Sequence, residues 1–223
     1  MNTVAANITA TRDKIARACH EAGRDAAGVN LVAVSKMQPH DRIAEALTAG
    51  QRLFGENRVQ EASAHWAGLR SQYPDLKLHL IGPLQTNKVR DAVALFDCIE
   101  TVDRPALTDA LAKEMTKQDR EIRCLVQVNT GEEPQKGGVP PDGLPDLLDH
   151  CRKLGLDVRG LMCIPPIDEP SAPHFALLKK LAHRHGLREL SMGMSADYED
   201  AIALGATHIR LGTALFGERD TKP

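Results

Sequence analysis

The 223-residue chain has no surplus of positive charge: 28 Lys and Arg stand against 30 Asp and Glu, a formal net charge of −2 with His neutral. That leaves no electrostatic footprint for nucleic acid or an anionic membrane. Long apolar runs are missing too; the longest are strand-sized, far short of a bilayer span. The start, Met1-Asn2-Thr3-Val4, offers neither a basic n-region nor an apolar h-region, so no secretory signal is expected. No Cys-x-x-Cys pair occurs. The five cysteines (Cys19, Cys98, Cys124, Cys151, Cys163) are odd in number and scattered, as expected of reduced thiols in a cytoplasmic protein. What is present is an ordinary globular composition, 42% hydrophobic and 26% charged. No linker divides it, and one domain over residues 1–223 is expected.

Short β-rich runs alternate with longer amphipathic ones. Strands are expected near Val29–Ser35, Arg52–Gly55, Leu78–Ile81, Cys98–Val102, Ile122–Val128, Val158–Cys163, Leu190–Met192 and His208–Leu211. Helical patterns lie between them at Asp41–Ala49, Arg58–Ser71, Asn87–Leu95, Arg104–Gln118, Leu144–Leu154, Pro173–His185 and Ala196–Leu204. Runs such as Leu31-Val32-Ala33-Val34 are apolar on both faces, which belongs to parallel strands covered by helices. Gly50, Gly155, Gly186 and Gly205 sit where helices should stop. Eight β-then-α steps match the lower size range of a (β/α)8 TIM barrel, with an extra helix over Asn2–Ala22 ahead of it. An open doubly wound sheet is the alternative, because sequence does not show ring closure. The Gly/Pro-rich stretch Thr130–Pro141 reads as a long loop after the fifth strand and a candidate for mobility.

In such a barrel the working residues sit at the C-terminal strand ends. The first strand ends in Lys36, an amine well placed to condense with a carbonyl compound. The second ends in Glu56, Asn57 and Arg58, and the third contains His79. Asn57 could equally tie down a loop, and His79 could be a hydrogen-bonded core residue. Ser195, expected to open the helix Ala196–Leu204, and Gly212-Thr213 after the eighth strand read as a phosphate cup built from backbone amides. Plain capping would also explain them. Arg210 shares a strand face with Gly212 and needs an acceptor. Glu56 or Asp197 would serve structurally; a heterocyclic nitrogen would serve functionally. Lysine, phosphate cup and arginine together suit pyridoxal 5′-phosphate.

Several blocks then carry a resemblance. LVAVSK (31–36), FGENRVQE (54–61), HLIGPLQTNK (79–88), LSMGMS (190–195) and IRLGTALFG (209–217) are similar, in this order, to the signature blocks of the pyridoxal phosphate homeostasis protein family. The resemblance spans about residues 5 to 219 and implies a barrel like that of alanine racemase. It implies that Lys36 holds the cofactor as a covalent aldimine, that Ser195, Gly212 and Thr213 contact its phosphate, and that Arg210 meets the pyridine nitrogen. It places Asn57 and His79 beside the ring.

The implied role is a cofactor carrier or buffer in intracellular pyridoxal phosphate homeostasis, not an enzyme. It would be a monomer whose partners are pyridoxal phosphate and apo-enzymes that need it. An alanine racemase brings a second base, a tyrosine, on a further domain; here only Tyr73 and Tyr198 exist, and neither follows such a domain. A racemase using His79 or a residue of a mobile loop as second base is the alternative, and a coenzyme-free Schiff-base aldolase is a third reading.

Overall fold

The structure is a computed structural model that describes residues 3–66 and 68–217. Its eight strands are β1 (Asn30–Val34), β2 (Leu53–Glu56), β3 (Lys77–Leu80), β4 (Cys98–Val102), β5 (Arg123–Gln127), β6 (Val158–Met162), β7 (Glu189–Ser191) and β8 (His208–Leu211). All neighbours are parallel, and β8 pairs back onto β1 (Asn30 opposite His208, Ala33 opposite Leu211), so the sheet closes. This is the (β/α)8 barrel expected from the sequence, and closure disposes of the open-sheet alternative. Each strand lies within two residues of its expected limits.

The helices are α1 (Val4–Glu21), α2 (His40–Thr48), α3 (Val59–Trp66), α4 (Val89–Leu95), α5 (Pro105–Gln118), α6 (Leu144–Lys153), α7 (Ser171–Arg184), α8 (Tyr198–Ala203) and α9 (Thr213–Phe216). Among the described residues no helix is long and apolar enough to cross a membrane. The extra N-terminal helix is capped by Thr3, whose Oγ1 accepts from the Ala6 amide, and buries one face through Val4, Ile8, Ile15 and Cys19. Asn7 on that helix donates Nδ2–H to the Leu215 carbonyl at 2.9 Å, tying α1 to α9 just after β8. The expected helix stops are correct; Gly50 and Gly205, for example, take φ of +81° and +108°.

Two helices depart from expectation. The helix expected over Arg58–Ser71 ends at Trp66, because the Leu69 and Arg70 amides both fold back onto the Trp66 carbonyl in tight turns around Gly68. The helix expected from Ala196 starts only at Tyr198. Asp197 takes the cap position, and its Oδ1 accepts from the Met194 amide at 2.6 Å, so Ser195 lies in a turn before the helix and does not cap it. The stretch Thr130–Pro141 is a loop, but a pinned one: Val139 bridges Val128, and Lys136 donates to the Pro165 carbonyl and pairs with Glu133.

Strand alternation sorts side chains into two shells. Outward residues such as Ala33, Phe54, Leu80, Val126 and Ile209 join the helices in the main core. Inside the ring a small apolar layer, Cys98, Leu125 and Met162, forms a separate cluster. The register between β4 and β5 shifts between Ile99 and Val102. That irregularity lets Ile99 and Val102 both join the outer core while Glu100 reaches the barrel interior, where His79 and Ser191 meet it.

Candidate functional site

Five of the seven residues singled out in the sequence share one cavity. Lys36, Ser195, Arg210, Gly212 and Thr213 line a space of about 160 Å³ at the C-terminal mouth of the barrel, with Val34, Gln38, Met194 and Gly217. Strand pairing brings them there. β8 lies between β1, which ends before Lys36, and β7, which runs on through Gly193 to Ser195. The Arg210 amide donates to the Gly193 carbonyl at 3.0 Å, locking the two ends together. Gly193 has φ of +93°, and a Cβ there would lie 2.6 Å from the Ala201 Cβ, so this turn has no room for a side chain.

The donors fit an anion with an attached carbonyl. The Leu215 and Phe216 amides close onto the Gly212 carbonyl, so the Thr213 and Ala214 amides at the start of α9 have no intrahelical acceptor. Ser195 and Thr213, the hydroxyl-bearing residues of the lining, border the same space as Lys36 and Arg210.

Arg210 is 4% exposed and is held from below. Its Nη1 donates to Ser191 Oγ at 2.7 Å and its Nη2 to the Cys163 carbonyl at 2.9 Å. The structural partners considered from sequence, Glu56 and Asp197, are not the ones it uses. Ser191 Oγ in turn donates to Glu100 Oε2 at 2.5 Å, and Glu100 Oε1 lies 2.6 Å from His79 Nδ1. The His208 ring packs against His79 with centroids 5.6 Å apart. A buried charge network thus crosses the barrel from β3 and β4 to β7 and β8, beneath the cavity.

Its electrostatics follow from burial and pairing. Burial opposes the Glu100 carboxylate, but the His79 hydrogen bond and the charges of His79, Arg210 and His208 outweigh it and bring the carboxyl to about 2. Burial is also the main force on His208, which falls to about 4 although Glu100 pulls the other way. Burial pushes the Cys163 thiol up to about 12 despite the nearby Arg210.

The remaining two expected residues are elsewhere. His79 is 2% exposed and belongs to the network below the cavity, as the core-histidine alternative has it. Asn57 borders a larger space of about 500 Å³ at the ends of β2 and β3, with Arg58, Gln60, Gln85 and Lys88. That cavity exceeds the other in size, yet of its cations Arg58 is exposed and Lys88 half-buried, whereas the smaller one unites the strand-end lysine with a buried guanidinium. Chemistry, not volume, therefore marks the candidate site. Sequence reading misses Glu100. It lies inside a strand, not at its end, and only its charge within the run Cys98-Ile99-Glu100-Thr101-Val102 hints at an inward partner.

Comparison with known proteins agrees with this fold. Residues 7–220 match the family model described as alanine racemase, N-terminal domain. The pyridoxal phosphate homeostasis protein of Pseudomonas aeruginosa is 43% identical, over 99% of this chain and 97% of that protein. The chain belongs to the pyridoxal phosphate homeostasis protein family. The Escherichia coli K12 member is 39% identical over 99% of this chain and 98% of its own length. Among solved structures, PipY of Synechococcus elongatus without PLP superposes with a TM-score of 0.85 at 40% identity, covering 96% of this chain and all (100%) of that one. The same protein with PLP bound gives 0.83 at 38%, with the same coverage. An alanine racemase of Clostridium difficile shares the fold at a TM-score of 0.70 and 14% identity, over 93% of this chain and 56% of the racemase.

Proposed function

We propose that this protein binds pyridoxal 5′-phosphate in the cavity between β1, β7 and β8 and serves in its homeostasis as a carrier or buffer. The observation that carries this reading is the union of Lys36, Ser195, Arg210, Gly212 and Thr213 around one space. PipY, a relative of full length, has been solved with PLP bound. Bound, the cofactor supplies an aldehyde whose carbon forms a C=N bond to an amine with loss of water. Lys36 is the residue that would provide that amine. Ser195, Gly212 and Thr213 would hold the phosphate through hydroxyls and α9 amides. Arg210 would face the pyridine nitrogen, and its positive charge disfavours a proton there, which weakens the ring as an electron sink. Asn57 would approach the ring from the β2 side. His79 would act indirectly, through Glu100 and Ser191, by fixing Arg210.

The family is named for homeostasis and not for a catalysed reaction. In keeping with that, Lys36 and Arg210 are the ionisable residues among those lining the cavity. Of the second bases the racemase alternative allows, a mobile-loop residue or His79, the latter has its Nδ1 engaged by Glu100 below the cavity. We therefore favour a single, monomeric PLP-binding unit that holds its cofactor for apo-enzymes and turns over little or nothing.

Spectroscopy and chiral analysis test this together. Purified protein mixed with pyridoxal phosphate should gain a visible absorbance that borohydride removes, and Lys36→Ala should gain none. Incubation with L-alanine should yield no D-alanine at rates of roughly 1–10³ s⁻¹, the common enzyme range. Turnover in that range refutes the carrier reading, and a colourless mixture refutes the binding.

A further inference from the structure

We propose that Glu61 is a positioning residue for Lys36: its carboxylate holds the backbone turn that aims the lysine into the barrel mouth. This deepens the reading of Lys36 given above and rests on it.

Residues 35–38 form a four-residue turn closed by the Gln38 amide on the Ser35 carbonyl at 3.1 Å. Its third residue, Met37, has φ of +58°. That position and that sign usually call for glycine, and a long side chain there is unfavourable. Packing does not explain it, because Met37 is 68% exposed. What holds it is a hydrogen bond: the Met37 amide donates to Glu61 Oε1. The closing bond of the turn leaves that amide unused, so an outside acceptor is needed to fix it.

The other side of Lys36 is gripped by the same β2–α3 unit. Ser35 donates its amide to the Gly55 carbonyl at 3.1 Å and its Oγ–H to Glu56 Oε1 at 2.7 Å. Glu56 Oε1 also receives Trp66 Nε1–H at 3.0 Å and lies 2.9 Å from His65 Nδ1. Trp66 and His65 belong to α3, the helix that carries Glu61. Glu56, Glu61 and His65 form one cluster, with polar atoms within 4.8 Å of one another. The lysine is therefore bracketed: Glu56 fixes the residue before it and Glu61 the residue after it. Without Glu61, Met37 is released to ordinary negative φ, and the Lys36 backbone turns with it.

The test mixes protein freed of cofactor with pyridoxal phosphate and follows adduct absorbance by stopped flow, while amide exchange is read at Met37. In the wild type the Met37 amide is protected. Glu61→Ala should expose it and slow adduct formation about tenfold, the size expected when a left-handed residue loses its restraint. Glu61→Gln keeps an acceptor and should stay within about twofold of wild type. Adding Met37→Gly to Glu61→Ala should restore the rate, since glycine takes positive φ freely. A role of Glu61 in the stability of α3 alone would not be rescued at position 37. An unchanged rate in Glu61→Ala, or no recovery with Met37→Gly, overturns the proposal. Should Glu61→Ala fail to fold, Glu61→Asp decides, because it shortens the reach and keeps the charge; a wild-type rate in that variant overturns the proposal as well. If the wild type forms no adduct at all, the proposed function fails, and Met37 exchange in the same variants still reads the clamp separately.

Discussion

Acid should destabilise this barrel in two steps that trace to two named residues. His208, 5% exposed, has its folded value depressed by burial from the ordinary 6.5 to about 4. As pH falls through 6.5 the unfolded chain takes up this proton first, so stability is lost between about pH 6.5 and 4. At 1.36 kcal/mol per pH unit, the loss is about 3 kcal/mol. Glu100, fully buried, has its folded value lowered from 4.5 to about 2, because its partners outweigh burial. A depressed carboxyl stabilises above its unfolded value, and that contribution disappears as pH falls from about 4.5 to about 2, again about 3 kcal/mol. Glu100→Gln keeps the shape but removes the charge that Arg210 and His79 face. The variant should be less stable at pH 7 by about 3 kcal/mol, as expected when one member of a buried pair is deleted. The gap to wild type should close as pH approaches 2. The upper step should deepen in the variant, because Glu100 is the charge that supports protonated His208. Urea unfolding of both proteins from pH 7 to 2 measures this. Equal pH slopes for wild type and Glu100→Gln below pH 4.5 would refute the account of the network.

Other outcomes are expected from packing. Gly160→Ala should destabilise by about 3 kcal/mol in urea unfolding, since the new Cβ would lie 1.9 Å from the Glu189 carbonyl oxygen across the β6–β7 pair; a near-neutral effect contradicts the packing. All five cysteines are buried, and burial drives the Cys124 and Cys163 thiols up to about 12. Native protein at pH 8 should thus react very slowly with a disulfide reagent, while the denatured chain releases five equivalents. Ser191→Ala removes the link between Glu100 and Arg210 and should cost about 1–3 kcal/mol, seen as a lower urea midpoint. It should also weaken pyridoxal phosphate binding more than it alters the fold, as judged by titration beside circular dichroism.

The barrel is legible in the sequence because parallel strands covered on both faces are short, apolar and evenly spaced. Strand-end positions then lead to Lys36, Arg210 and Gly212-Thr213 without further information. Ser195 reaches the cavity, but not as a helix cap: Asp197 competes for that place, and its carboxylate takes the Met194 amide. The helix after β2 reads longer than it is because its apolar periodicity continues to Leu69, while the backbone breaks at Gly68. Glu100 and the positive φ at Met37 are not legible. The first depends on which strands face one another across the ring. The second depends on a carboxylate reaching 24 residues back along the chain.

The most direct measurement is peptide mass mapping after mixing the protein with pyridoxal 5′-phosphate and reducing with borohydride. The account predicts one modified peptide, with the phosphopyridoxyl mass on the ε-nitrogen of Lys36. Modification at Lys88 or Lys136 instead, or none above that of the unfolded chain, contradicts it.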